Sequence, residues 1–384
     1  MAGALVLGLC ACTTFLPGRD PTVFRAPDVG SAEERYSAWF ADERDGIVYF
    51  GLSPFWTALW ESGEPGADLR VPGPHLIGRF ELASESFLRP LELAAAADDV
   101  RSSVWDVLAH PNGWVYFTTF FEDMGRVNPS TGAVEYFPAV GRGLNELALG
   151  PHGRVYVTRY GSGIEPAAGA SQDGAVVMIS ETGEKLAEVA LHALPGSVTA
   201  VKSVAADARS GSVIVNADVL TPGNGVAFAR FRLDAELGRV EGPEFEPELL
   251  FATFTPGGRG YLVEDDDGRL RLLIRDGSME RAVLLLGPRV PHDFAQDIHV
   301  ADDGTAAIAF WSGRVELVRE RDGVFEHASV TLEKPDDCAP PDHRSLVYSA
   351  FAERGFVYAT LFCGVTILRA PVPEAWSRIG EKPD

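Results

Sequence analysis

The chain has 384 residues, 46% of them hydrophobic and 10% aromatic, which is enough to build a packed core and too apolar for a disordered chain. Its 33 Lys and Arg stand against 55 Asp and Glu, a formal net charge of -22 that repels phosphate backbones and anionic lipid and excludes nucleic acid as a partner. The length suits two average domains or one large β domain.

Ala2 to Ala11 form an apolar run too short to span a bilayer and of the length of an export-signal core. It ends in Leu9-Cys10-Ala11-Cys12, which resembles a bacterial lipobox, with Cys12 as the lipidated residue because Ala11 precedes it. No Lys or Arg stands before the apolar run, a departure from that pattern that an upstream start codon would remove. Residues 1–12 are therefore expected to be a lipoprotein-type signal peptide and residues 13–20 a linker. The protein is expected in the bacterial periplasm or cell envelope, touching membrane only through an N-terminal lipid. Oxidising compartments keep disulfides, so the remaining cysteines, Cys338 and Cys363, are expected to pair over the last repeat.

Beyond the linker a Gly turn followed by a short strand recurs. Five copies are strong: Gly46-Ile-Val-Tyr-Phe, Gly113-Trp-Val-Tyr-Phe, Gly153-Arg-Val-Tyr-Val, Gly211-Ser-Val-Ile-Val and Gly355-Phe-Val-Tyr-Ala; Gly258 and Gly304 open weaker ones. Each has β-branched or aromatic residues after a turn glycine, the pattern of a hairpin into a strand. The glycines are 67, 40, 58, 47, 46 and 51 residues apart, the length of one four-stranded blade per repeat. The expected fold is all-β: a single propeller of about seven four-stranded blades over residues 21–372, with a tail at 373–384. Thr22-Val-Phe-Arg25 has no blade of its own and is expected to close the ring as the outer strand of the last blade, removing an exposed edge.

Two stretches carry a family resemblance. Asp106-Val-Leu-Ala-His-Pro-Asn-Gly-Trp-Val-Tyr-Phe-Thr-Thr119, continued by Gly125 to Phe137 and by Glu146 to Thr158, resembles repeats of the streptogramin lyase (virginiamycin B lyase) family. Tyr36 to Trp39 and Asp45 to Phe50 look like the first blade of the gluconolactonase/regucalcin family, and both are related to NHL-repeat proteins. The resemblance covers about 100 residues closely. It implies a six- or seven-bladed propeller with chemistry, where there is any, at the central mouth. Lactonases of that kind hold a divalent metal with a first-blade Glu, and Glu34 stands one residue from that position. The lyases use Glu and His around a metal, to which Asp297-Ile-His299 is faintly similar.

Seven residues before the turn Gly of three repeats stand Asp106, Glu146 and Asp297, each followed by the same apolar-x-apolar pattern. Equivalent repeat positions occupy equivalent points around the axis, where the innermost strand begins. These three acids are the candidate metal ligands for a divalent cation such as Ca²⁺ or Mg²⁺, which takes oxygen donors and could polarise a lactone carbonyl. A wet channel lined with polar residues accounts for them equally well. Trp105, Asn145 and Gln296 precede them and Lys202 holds the matching place in the fourth repeat; with Arg159, Asn216, Asp218 and Trp311 they form the candidate ligand-binding mouth. His292 and His299 are the candidate catalytic bases, since Asp297 and His299 project to one side of a strand and a carboxylate-oriented His is how a base is built. His110 and His152 fall at the opposite end and are expected to face solvent. Glu264-Asp-Asp-Asp-Gly268 lacks the alternating spacing of an EF-hand loop and reads as a hairpin. Serine-hydrolase and nucleotide motifs are missing from the chain.

Two functions stay open. One is an exported scaffold presenting its mouth to a small molecule, glycan or protein. The other is a metal-dependent enzyme that opens a cyclic ester.

Overall fold

The computed structural model describes residues 22–26, 36–53, 75–93, 104–119, 123–161, 174–192, 197–220, 226–255, 257–277, 279–288, 293, 295–335, 347–362 and 364–379. Cys12, Glu34, His292, Cys338 and Cys363 lie outside these residues, as do the expected signal and linker. No helix among the described residues is long and apolar enough to cross a membrane.

The described strands form seven antiparallel sheets. Strand β1 (Thr22–Arg25) stands apart from its sequence neighbours. Blade 1 is β2 (Ser37–Arg44), β3 (Ile47–Ser53), β4 (His75–Glu81) and β5 (Ser86–Leu93). Blade 2 is β6 (Val104–Ala109), β7 (Val115–Thr119), β8 (Gly125–Val127) and β9 (Val134–Tyr136); blade 3 is β10 (Leu144–Leu149), β11 (Val155–Arg159), β12 (Ala175–Ile179) and β13 (Lys185–Ala190). Blade 4 is β14 (Ser197–Ala206), β15 (Val213–Leu220), β16 (Val226–Leu233) and β17 (Val240–Glu244). Blade 5 is β18 (Glu248–Phe254), β19 (Arg259–Asp266), β20 (Arg269–Asp276) and β21 (Met279–Pro288). Blade 6 is β22 (Ala295–Val300), β23 (Ala306–Phe310), β24 (Arg314–Arg321) and β25 (Val324–Thr331), and blade 7 is β26 (Val347–Glu353), β27 (Phe356–Phe362) and β28 (Val365–Pro371). The innermost strands touch in the closed order β2, β6, β10, β14, β18, β22, β26 and back to β2.

Closure follows the sequence reading. β1 pairs antiparallel with β28, Thr22 opposite Arg369 and Arg25 opposite Thr366, and completes blade 7. Phe24 anchors it against Phe80 of blade 1, with ring centroids 5.2 Å apart. The segment after residue 372, expected to be a tail, adds a further strand: β29 (Ser377–Arg378) pairs with the outer strand of blade 6, and Trp376 lies under the Arg319 guanidinium at 3.9 Å. The cation–aromatic contact and two backbone pairs hold it where a free tail would fray.

The core is divided among blade interfaces. Seven hydrophobic clusters fill the seven contacts between neighbouring blades, for example Val204, Ile214 and Leu249 at two of the faces of blade 4, and Phe50, Phe80 and Phe351 between blades 7 and 1. Middle strands such as β7, β11, β12 and β23 are buried on both faces, so they are dominated by apolar residues, as in Ala-Val-Val-Met-Ile at β12. The turn glycines that reveal the repeat have φ between 71° and 86°, the left-handed region that a side chain disfavours.

Every inner strand carries a β-bulge where it begins, between Ala38 and Ala41 in blade 1, Val104 and Val107 in blade 2, Leu144 and Leu147 in blade 3, Ala295 and Asp297 in blade 6, and Val347 and Ala350 in blade 7. Blade 5 bulges between Leu249 and Phe251, and blade 4, whose inner strand is longer, between Val198 and Ala200 and again between Val201 and Ser203. A bulge bends the strand and re-aims side chains. Here it turns a short run of each inner strand toward the axis at one mouth of the ring.

Candidate functional site

Aligning the blades on their bulges sorts the inner residues into tiers. The outermost tier is Trp39, Trp105, Asn145, Lys202, Leu250, Gln296 and Tyr348. One step deeper come Phe40, Asp106, Glu146, Ser203, Phe251, Asp297 and Ser349. Two residues further on stand Asp42 in blade 1, His299 in blade 6 and Phe351 in blade 7.

The outer tier of blades 7, 1 and 2 is aromatic. Trp39 is packed against Trp105 with centroids 4.2 Å apart and against Tyr348 at 4.9 Å; Phe40 and Trp311 meet Tyr348 edge-on at 5.3 and 5.2 Å. Trp39 and Tyr348 are buried, and half-buried Phe40, Trp105 and Trp311 pack against them. The remaining side of the tier is polar. Asn145 donates its amide to the carbonyl of Lys202 at 2.7 Å, and Lys202 pairs with Asp218 at 3.2 Å.

Beneath lies a group of carboxylates. Asp106 on blade 2 senses the charge of Asp297 on blade 6, which only a path across the axis allows, and Glu146 on blade 3 senses both. Burial pushes Asp106 and Glu146 well above the carboxylate range, and this mutual repulsion adds to it. Burial raises Asp297 to about 7 and Asp42 to about 6. The four differ in their hydrogen bonds. Asp106 accepts the N–H of Val107 and, across the interface, that of Leu147, both at 2.8 Å. Asp42 accepts Glu43 N–H and, from blade 2, Ala109 N–H, both at 2.9 Å. Asp297 is held by the Ser349 hydroxyl and the Ile298 N–H. Glu146 is 8% exposed, and its carboxylate accepts no hydrogen bond among the described residues.

The candidate base is arranged differently from the sequence expectation. Asp297 and His299 do share one side of β22, opposite Ala309 and Ala307. Because the Asp297 carboxylate is engaged by Ser349 and Ile298, it does not orient the imidazole. The nearest acid to His299 is Asp42, 3.9 Å from Nε2, beyond hydrogen-bonding reach. The ring stands edge-on to Phe351 at 4.5 Å, Nδ1 has no partner among the described residues, and burial lowers the imidazole to about 4, so it is neutral.

Other sequence candidates have structural duties. Arg159 is buried and pairs with Glu188 inside blade 3, so it does not present its charge to the mouth. Asn216 donates its amide to Leu250 O at 3.0 Å, tying blade 4 to blade 5. His110 is 2% exposed and its Nε2 lies 3.0 Å from Gly153 O, which corrects the expectation of a solvent-facing ring: the turn of blade 3 covers it. Glu264 bridges Arg230 and Arg271, and Asp267 and Gly268 form the expected tight turn. Among the described residues no group of three or more His, Cys, Asp or Glu converges as metal ligands do. The acids Asp106, Glu146 and Asp297 thus share a channel without forming a preassembled metal cage.

Trp39, Phe40, Asp42 and Tyr348 escaped the sequence count from the turn glycine. Blades 2, 3 and 6 have five-residue turns after the inner strand, whereas blades 1 and 7 have two-residue turns, so the same count lands one tier out. It lands on Trp39 and Tyr348, and that aromatic pair was the available signal.

Fold and site together define a seven-bladed β-propeller with an aromatic and acidic mouth. No protein-family model and no curated protein matches the chain. Among solved structures, a catalytically inactive virginiamycin B lyase from Staphylococcus aureus with quinupristin aligns at a TM-score of 0.54 and 10% sequence identity, over 92% of this chain and 100% of that one. YCF48 bound to D1 peptide aligns at 0.50 and 12% identity, over 93% and 99%. A chain of the mitotic checkpoint complex aligns at 0.57 and 9% identity, over 97% and 99%. At such identities the likeness is one of fold, and it bears out the propeller reading at that level.

Proposed function

We propose that the protein is an exported propeller, anchored by a lipid on Cys12, that binds a ligand at its aromatic and acidic mouth. The observation that carries this reading is the aromatic cluster spanning blades 6, 7, 1 and 2, with half-buried Trp105 and Trp311 at its surface. Aromatic faces beside a small number of polar groups are what ligand mouths are made of. The solved propellers with quinupristin and with a D1 peptide lend this use of the fold general support. A metal-dependent cyclic-ester enzyme is the second reading. The clustering of Asp106, Glu146 and Asp297 favours it, because perturbed acids gather at functional sites. It requires a cation to draw their oxygens into one shell.

The test pairs an address with a site. The full chain produced in a bacterial host should fractionate with membrane, and Cys12→Ser should release it. Tryptophan fluorescence titrated with glycan, peptide and small-molecule panels should yield a saturable ligand that Trp105→Ala weakens at least tenfold with little change in melting temperature. A ligand indifferent to Trp105→Ala, or a Cys12→Ser protein that stays on membrane, overturns the corresponding half.

A further inference from the structure

One sector of the mouth is short of hydrogen-bond donors. Between blades 2 and 3, Trp105 and Asn145 are neighbours in the outer tier, and Asp106 and Glu146 stand directly beneath them. Asn145 is 3% exposed; its amide nitrogen is taken by Lys202 O, while Oδ1 is buried with no partner among the described residues. Glu146 is 8% exposed, and its carboxylate takes no hydrogen bond from the described residues. A buried acceptor left without a donor has lost its water and gained nothing in exchange. The buried amide oxygen and the carboxylate beside it call for a ligand that donates.

Charge specifies that donor further. Glu146 is surrounded by Asp106 and Asp297, and the one described cation acting on it is Lys202, which is itself paired with Asp218. Burial, and then the charges of Asp218 and Glu146, disfavour the ionised form of Tyr160. The ligand must therefore be cationic as well as donating. The half-buried indole of Trp105 adds a flat aromatic surface at the same spot. A guanidinium meets all three demands: it is planar, stacks on aromatic faces, has five N–H donors and keeps its charge at any ordinary pH.

Resting on the ligand-binding reading, we infer that the sector formed by Trp105, Asp106, Asn145 and Glu146 is a guanidinium-binding site. The group stacks on Trp105 and donates to Asn145 Oδ1 and the Glu146 carboxylate. The chemistry is the same whether an arginine side chain of a protein partner or a small guanidine metabolite brings it. The net charge of -22 attracts either to the surface.

The test is calorimetric titration of the full chain in detergent with agmatine and with the capped peptide Gly-Arg-Gly. N-acetylputrescine, which lacks the guanidinium, is the control. Saturable binding of agmatine or the peptide, weakened at least tenfold by Glu146→Gln and by Trp105→Leu, is the expected result. Agmatine binding better than the peptide points to a metabolite, and the reverse to a protein partner. No saturation by either probe, or affinity unchanged in Glu146→Gln, overturns the proposal. Should another ligand still be lost in Trp105→Ala while both probes fail, the mouth reading stands and the guanidinium assignment alone falls.

Discussion

Asp297 is an acid whose surroundings disfavour its charge. Burial raises it to about 7 in the folded chain, against an ordinary value near 3.8, although Ser349 and the Ile298 N–H pull the other way. A raised carboxylate holds its proton more tightly when folded, so its contribution to stability is complete below about pH 4 and is lost as pH rises through 7. Asp297→Asn should therefore melt higher than the parent at pH 8, by an amount corresponding to roughly 1–4 kcal/mol, and no higher at pH 4. Melting curves of both proteins across that range check it; a variant less stable at pH 8 would show that the ionised form is the one the fold favours. His299 acts in the opposite sense. Its imidazole is lowered to about 4, so its stabilising neutral form is complete above pH 6.5 and lost as pH falls toward 4.

At the scale of strands, the blades are fastened by a repeated strap. Thr118 Oγ1 on the second strand of blade 2 accepts Asp106 N–H in its own bulge and donates to Asn145 O in blade 3. Thr360 repeats this between blade 7 and Trp39 O, and Asn216 reaches Leu250 O from blade 4. Blade 1 has Gly51 at that place, because the neighbouring backbone comes too close for any side chain. A Cβ there would stand 2.6 Å from Val104 O and 2.8 Å from Trp105 O, and neither carbonyl can swing away as a side chain would. Gly51→Ala should accordingly destabilise by more than about 2 kcal/mol, and Thr118→Val by about 1–2 kcal/mol. Denaturant titration of both variants measures this. An unaffected Gly51→Ala would mean that blades 1 and 2 sit further apart than described. Thr118 was visible in the repeat, but the carbonyl to which it donates is a blade away, which no local pattern displays.

At the scale of the ring, closure depends on four residues that arrive from the far end of the chain. Deleting residues 1–26 would leave β28 as an open edge, remove Phe24 from Phe80, and uncouple blade 7 from the N-terminus. An exposed strand edge templates association with other chains. The truncated protein should melt at least 5 °C lower and run as oligomers on size exclusion, whereas truncation before residue 21 should leave both properties intact. Equal behaviour of the two truncations would show that the inner-strand contact of β2 with β26 suffices to hold the ring.

Repeat period, turn glycines and alternation are local properties, so the all-β propeller, its seven blades and the closing role of Thr22–Arg25 were legible in the amino-acid order alone. So was the kinship of Asp106, Glu146 and Asp297, since equal turns put them at equal counts. What needed the tertiary structure was each group's use. Shorter turns offset the count in blades 1 and 7, so it fell on Trp39 and Tyr348 and not on the tier of Asp106. Arg159 and His110 looked available until Glu188 and the blade 3 turn were seen against them. Glu146 and Asp106 hold the same repeat position, yet one accepts two backbone N–H groups and the other accepts none. The Leu147 N–H comes from the neighbouring blade, about 40 residues away in the chain, because hydrogen bonds and desolvation depend on what surrounds a group in space.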